Sequence, residues 1–127
     1  NFLIIKSLLP NMISNRKGKI IGISSVVAST GNPGQTNYVA SKAGVEGFTR
    51  SIARELASFN VTVNCISPGP VKTKLTEKVP KSYIDKVMQQ QIITEQCKEE
   101  DILNCVKLIL DSKSDKITGE NFIIGGF

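Results

Sequence analysis

Histidine is absent from all 127 residues. That one absence removes Ser-His-Asp triads, His-liganded zinc and every histidine general base. Tryptophan is missing too, and aromatics reach only 6%, so the core must be built from Ile, Val, Leu and Ala. Cysteine is sparse: Cys65, Cys97 and Cys105 are odd in number and form no C-x-x-C pair. They read as buried free thiols in a reducing compartment rather than as a disulfide or metal site. No apolar run approaches the ~18 residues that would cross a bilayer. The longest, Phe2 to Leu9, is broken by Lys6 and Ser7. It carries no charged leader and no cleavage site, so a signal peptide is not expected there.

Acidic residues are the minority, 11 against 16 Lys and Arg, for a net charge of +5. An RNP-like aromatic motif, an Arg-rich helix and zinc-finger spacing are all lacking. The excess charge is therefore read as a solvated surface or a match for an acidic protein partner, and not for nucleic acid.

What is present is an alternation of helical and strand patterns over a length typical of one domain. Residues 2–14 have apolar positions at helical spacing with Pro10 inside, which predicts a helix kinked near residues 6–10. Residues 15–18 read as a turn in which Gly18 is free to take positive φ. The run Lys19–Ser24 is continuously apolar, which predicts a strand buried on both faces of a parallel sheet. Residues 29–35 are the densest turn signal. A helix is expected over about 36–58, with Thr36 or Asn37 as N-cap and Asn60 closing it in the left-handed region.

One face of that helix is small: Ala40, Ala43, Gly44 and Gly47. Glycine inside a helix costs up to ~1 kcal/mol against Ala, so a closely approaching helix or sheet is expected there. Phe48, Ile52, Leu56 and Phe59 should point inward. A second strand is read over 61–66, closed by Ser67-Pro68-Gly69-Pro70. Residues 72–91 are polar and Lys-rich, with a short helix starting at Pro80. A helix over 98–111 has acids in its first turn and a stripe of Ile102, Val106, Ile109 and Leu110. A last short strand spans 117–125. Strands separated by helices imply right-handed crossovers and an α/β fold with a parallel sheet.

Within the long helix stand Tyr38 and Lys42. Helical spacing puts them on one face, roughly 5–6 Å apart at Cβ. A phenol titrates near pH ~10, and a neighbouring cation favours its phenolate. Such a tyrosine is a candidate general acid/base. The pair alone is common in sequences of this length, and its surroundings decide what it means.

Those surroundings are Ile23-Ser24-Ser25-Val26, the run Gly31-Asn32-Pro33-Gly34-Gln35-Thr36-Asn37-Tyr38-Val39-Ala40-Ser41-Lys42-Ala43-Gly44, Val63-Asn64 and Pro68-Gly69. Together they resemble the short-chain dehydrogenase/reductase family, and within it the branch that reduces 3-oxoacyl groups on acyl carrier protein in type II fatty acid synthesis. The likeness covers residues 2–75 almost continuously and weakens from about residue 90.

The resemblance implies the C-terminal half of a doubly wound parallel-sheet Rossmann fold, three strands flanked by helices. Residues 1–127 are then expected to be an incomplete single domain. The family's Gly-rich phosphate-binding turn and Asn-Asn-Ala-Gly segment have no counterpart in the chain. The family's catalytic Asn falls about three positions before Asn1, which is not that residue. Such a half-domain is expected to be inactive alone.

By the same resemblance, Tyr38 is the proton donor to the substrate carbonyl. Lys42 holds the nicotinamide ribose hydroxyls, and Ser25 hydrogen-bonds the carbonyl oxygen. Ser24 is the rival for that last role, but adjacent residues face opposite ways and the spacing to Tyr38 favours Ser25. Pro68, Gly69, Val71 and Thr73 match the loop that contacts the cofactor, which the resemblance gives as NADP(H), with NAD(H) left open. Tyr83, with Lys86 nearby and no motif around it, is read as ordinary lid surface.

The implied partner is acyl carrier protein bearing a 3-oxoacyl chain, whose acidity suits Arg16, Lys17, Lys72 and Lys74. A homotetramer is implied as well, in a bacterial cytoplasm or a plastid or mitochondrial matrix. Thr94–Cys97 and Ile124-Gly125-Gly126 depart from the family pattern at segments near its subunit interfaces. The alternatives are another dehydrogenase of the family acting on a small alcohol or ketone, and a non-catalytic half-domain.

Overall fold

The computed structural model describes residues 2–74 and 76–126. The reading made of Asn1 lies outside the described residues. The chain runs α1 (Phe2–Ser14), β1 (Gly18–Ile23), α2 (Val27–Thr30), α3 (Thr36–Leu56), β2 (Val61–Pro68), α4 (Lys81–Met88), α5 (Glu99–Leu110) and β3 (Asn121–Ile124). The three strands form one parallel sheet in the order β1-β2-β3. The expected alternation of elements is therefore present, with α2 as an added helical turn before the Gly-rich segment.

Sheet and helices meet in one apolar cluster. Ile52, Ala53 and Leu56 of α3 pack on Val61 and Val63 of β2, and Ile5, Leu9, Met12 and Ile13 of α1 close over them. Phe48 and Phe59 join the same cluster, as their spacing predicts. At the end of α3 a short 3-10 turn leads to Asn60 at φ 55, left-handed as expected. α5 starts with Lys98 N–H donating to the Asp101 carboxylate at 2.8 Å, and Ile109 from its stripe is buried. Leu110 is not; it stands exposed. Pro10 sits inside α1 without ending it.

Four expectations need correction. Burial on both faces belongs to β2, every residue of which is buried, and not to the more apolar β1. β1 pairs with β2 alone, so its residues stay partly open and Ile23 is 44% exposed. Positive φ after α1 falls on Arg16 (φ 48), whose guanidinium donates to the Ser58 carbonyl at 2.7 Å. Gly18 instead opens β1, where a Cβ would meet the Met12 sulfur at 2.9 Å. The N-cap of α3 is Gln35 rather than Thr36 or Asn37; the Asn37 carboxamide accepts the N–H of Tyr38 at 2.9 Å and is not available to a later turn. Finally, the small face of α3 has no close neighbour among the described residues. Ala40, Ala43, Gly44 and Gly47 are exposed, and nothing lies within 4 Å of a Cβ built on either glycine.

Candidate active site

Parallel strands bring their carboxyl ends to one edge of a sheet, and in open α/β sheets ligands bind beyond that edge. Here β1 runs out into Ser24 and Ser25, and β2 into Pro68 and Gly69. The two ends are stitched together: Ser24 N–H donates to the Ile66 carbonyl at 2.7 Å, and Val26 N–H to the Pro68 carbonyl at 3.2 Å. The amino end of α3, carrying Tyr38, lies beside this edge through contacts between α2 and α3.

The two serines differ in their surroundings. Ser24 is buried, its hydroxyl 3.0 Å from both the Lys42 carbonyl and a Glu46 carboxylate oxygen. That oxygen also lies 3.2 Å from the Ser67 hydroxyl, which in turn is 2.7 Å from the Asn121 side-chain oxygen. Ser24 is thus part of a polar chain that ties β1, α3, β2 and β3 together. Ser25 engages through its backbone, its carbonyl accepting the Ala28 N–H at 2.9 Å. Its hydroxyl makes no hydrogen bond among the described residues and is free for a ligand.

Lys42 and Tyr38 come together as well. The ammonium donates to the Ile23 carbonyl at 2.9 Å and lies 5.6 Å from the centre of the Tyr38 ring, within range of a cation–π attraction. One of its three protons is held by the strand and two remain for other acceptors. The Tyr38 ring is 43% exposed.

The loop after β2 is built differently from what its sequence suggests. Val71 bridges to Cys97, Lys72 N–H donates to the Cys97 carbonyl at 3.1 Å, and Cys97 N–H returns a bond to Pro70 at 3.1 Å. Thr73 is occupied locally: its N–H donates to the Thr76 hydroxyl at 2.8 Å. Gly69 has a packing reason to be glycine. Gln91, only 5% exposed, lies across it, and a Cβ there would fall 1.9 Å from the Gln91 amide nitrogen. The same amide presses on Gly125, at 2.3 Å from a Cβ built there. We expect Gly69→Ala to cost about 2 kcal/mol through this collision, and the penalty to shrink when Gln91→Ala is combined with it. Urea midpoints of the parent, both single variants and the double variant measure this; equal penalties in both backgrounds would remove the collision as the cause.

Two contributors escaped the sequence reading. Glu46 and Gln91 belong to no motif, and their spacing carries no signal that would mark them. Tyr83 was readable only as surface, yet it packs against the cluster of Val26, Val27 and Val87 with its hydroxyl buried and without a partner among the described residues. Burial, and secondarily the charge of a nearby ionised Tyr38, push its phenol above the ordinary 10.0. Cys65 and Cys97 are buried and Cys105 half-buried, all free; burial raises each thiol above its ordinary 9.0. Among the described residues no helix is long and apolar enough to cross a membrane, and no cluster of His, Cys, Asp and Glu could hold a metal ion.

Comparison with known proteins adds the following. A family model described as enoyl-(acyl carrier protein) reductase matches residues 1–126. A 3-oxoacyl-[acyl-carrier-protein] reductase of Rickettsia felis is 36% identical over 126 residues, 99% of this chain and 52% of that protein. Reductases of the same description from Staphylococcus aureus and from Buchnera aphidicola are each 40% identical, over 96% and 98% of this chain and 50% and 51% of theirs. The chain spans about half the length of the curated relatives it matches.

Proposed function

This chain belongs to the short-chain dehydrogenase/reductase family, and from that premise we propose that it carries the proton-donating side of a carbonyl reductase. The reaction is the NADPH-dependent reduction of a 3-oxoacyl group on acyl carrier protein to the 3-hydroxyacyl form. The observation that carries this reading is the Tyr38–Lys42 pair: an ammonium anchored on the Ile23 carbonyl and set beside an open phenol. The names of the curated relatives support the substrate class.

In this reading Tyr38 gives its proton to the carbonyl oxygen. Lys42 holds positive charge beside the phenolate that is left, and so favours the transfer. Ser25, whose hydroxyl no described residue holds, donates to the same oxygen as charge develops there. A nicotinamide cofactor supplies the hydride when bound. Tyr38, Lys42, Pro68, Gly69, Val71 and Thr73 would hold it, and the two uncommitted protons of Lys42 suit the hydroxyls of a ribose. Gly69 supports this weakly, because Gln91 already accounts for its missing side chain.

Residues 1–127 are in this proposal part of a single Rossmann-type domain in a homotetramer, with the remaining length of the relatives supplying the phosphate-binding turn. The bacterial cytoplasm, or a plastid or mitochondrial matrix, is the proposed setting. A second reading, a half-domain without activity of its own, is favoured by the free edge of β1, which is open to pairing. One assay tests both. The full polypeptide carrying this sequence should consume NADPH when given acetoacetyl-acyl carrier protein, and the 127-residue chain should not. Consumption by neither protein removes the reductase; consumption by both removes the half-domain.

A further inference from the structure

We propose that Tyr83 is a specificity-determining residue of the Tyr38 site, its hydroxyl donating to the second carbonyl oxygen of a 1,3-dicarbonyl substrate while Tyr38 serves the first. This rests on the reading of Tyr38 as proton donor. Tyr83 stands on α4, and its ring packs on the cluster of Val26, Val27 and Val87, against which Val39 also packs. Val26 follows Ser25 in the chain and Val39 follows Tyr38. The ring therefore shares one cluster with the neighbours of both proposed catalytic side chains.

The state of its hydroxyl is the unusual point. It is buried and has no hydrogen-bond partner among the described residues. A phenol removed from water without a partner is a costly arrangement that a fold ordinarily avoids. The neighbouring groups in its cluster are valine side chains, which cannot accept. Its ionisation lies above the ordinary 10.0, so at neutral pH it is a donor.

An acceptor oxygen arriving beneath α4 would take up a donor whose dehydration has already been met in folding. The gain is therefore larger than for a hydroxyl that must first give up water. A 3-oxoacyl thioester has two carbonyl oxygens, on carbons two bonds apart along the acyl chain, and offers one to each phenol. A simple ketone has one, which Tyr38 takes, and leaves Tyr83 as it was. Selection of 3-oxoacyl groups over monoketones then follows from a neutral hydrogen bond.

The test is Tyr83→Phe in the full polypeptide carrying this sequence, assayed with acetoacetyl-pantetheine and with cyclohexanone. Phenylalanine keeps the ring and its packing and deletes the orphaned hydroxyl. We expect kcat/KM for the thioester to fall about tenfold, with cyclohexanone unchanged. The melting temperature should rise by ~3 °C, because an unsatisfied buried group is gone. Tyr83→Leu, which also loses ring packing, should lower the melting temperature. An equal fall on both substrates, or no fall on either, overturns the inference while Tyr38 keeps its role. If neither substrate is reduced by the parent, the Tyr38 reading falls and takes this one with it.

Discussion

Tyr38→Phe in the full polypeptide lowers carbonyl reduction about 10³-fold, a far larger effect than the one on cofactor affinity. The expectation follows from what the substitution removes. A general acid acting in the transition state contributes ~10²–10⁴-fold, and the chain has no histidine to stand in for it. Ser24 is committed to Glu46 and the Lys42 carbonyl. Ser25 is free, but an alcohol is a far weaker acid than a phenol. Tyr83, the other phenol, packs on a valine cluster and is proposed above for the second carbonyl oxygen, not the first. The ring of Phe keeps the contact with the Lys42 ammonium, so the helix and its ion should stay in place. Initial rates against substrate at saturating NADPH, with the cofactor dissociation constant measured by fluorescence, separate the two effects. A variant that keeps a tenth of the parent turnover would show that Tyr38 is not the proton donor.

Asn64→Ala is the second large effect, and it acts on stability. Asn64 is 0% exposed and its side chain holds the segment leading into β3. Its amide donates to the Ile117 carbonyl at 2.9 Å, and its oxygen accepts the Glu120 N–H at 3.1 Å. Ala leaves both backbone groups without the side chain that holds them and adds a small void. Unpaired buried groups cost ~1–3 kcal/mol each, so a loss of about 3 kcal/mol is expected, seen as a lower urea midpoint. Asn64→Asp keeps the acceptor and loses the donor to Ile117. It should hold part of the loop and fall between the two. A midpoint for Asn64→Ala within ~0.5 kcal/mol of the parent would show the loop to be held by its backbone bonds alone.

Much of this architecture is legible along the chain because the relevant signals are local. The turn at Asn60, the acids opening α5 and the inward positions 48, 52, 56 and 59 each depend on neighbours within a turn or two. What is not legible depends on partners far along the sequence. β1 has the more apolar run, but burial follows the number of neighbours, and β2 has one on each side. Gln91, distant in sequence, gives Gly69 a packing reason to lack a side chain that its own neighbours do not reveal. Tyr83 reads as surface because short polar helices usually are, and nothing near it names Val26 or Val39. Glu46 is one charged residue among many until two strands deliver serines to it. The small face of α3 shows the opposite failure: a local pattern asks for a neighbour that the described residues do not supply.

Tyr38 and Leu56 belong to the same unbroken helix, α3, roughly 27 Å apart at 1.5 Å per residue. A rod of that kind has little give along its length. Repacking around Ile52 or Leu56, at the end farthest from the chemistry, would tilt it like an oar in its lock and move the phenol by the greatest distance. Variation in the hydrophobic interior should accordingly be felt as altered catalytic alignment before the molecule loses its shape.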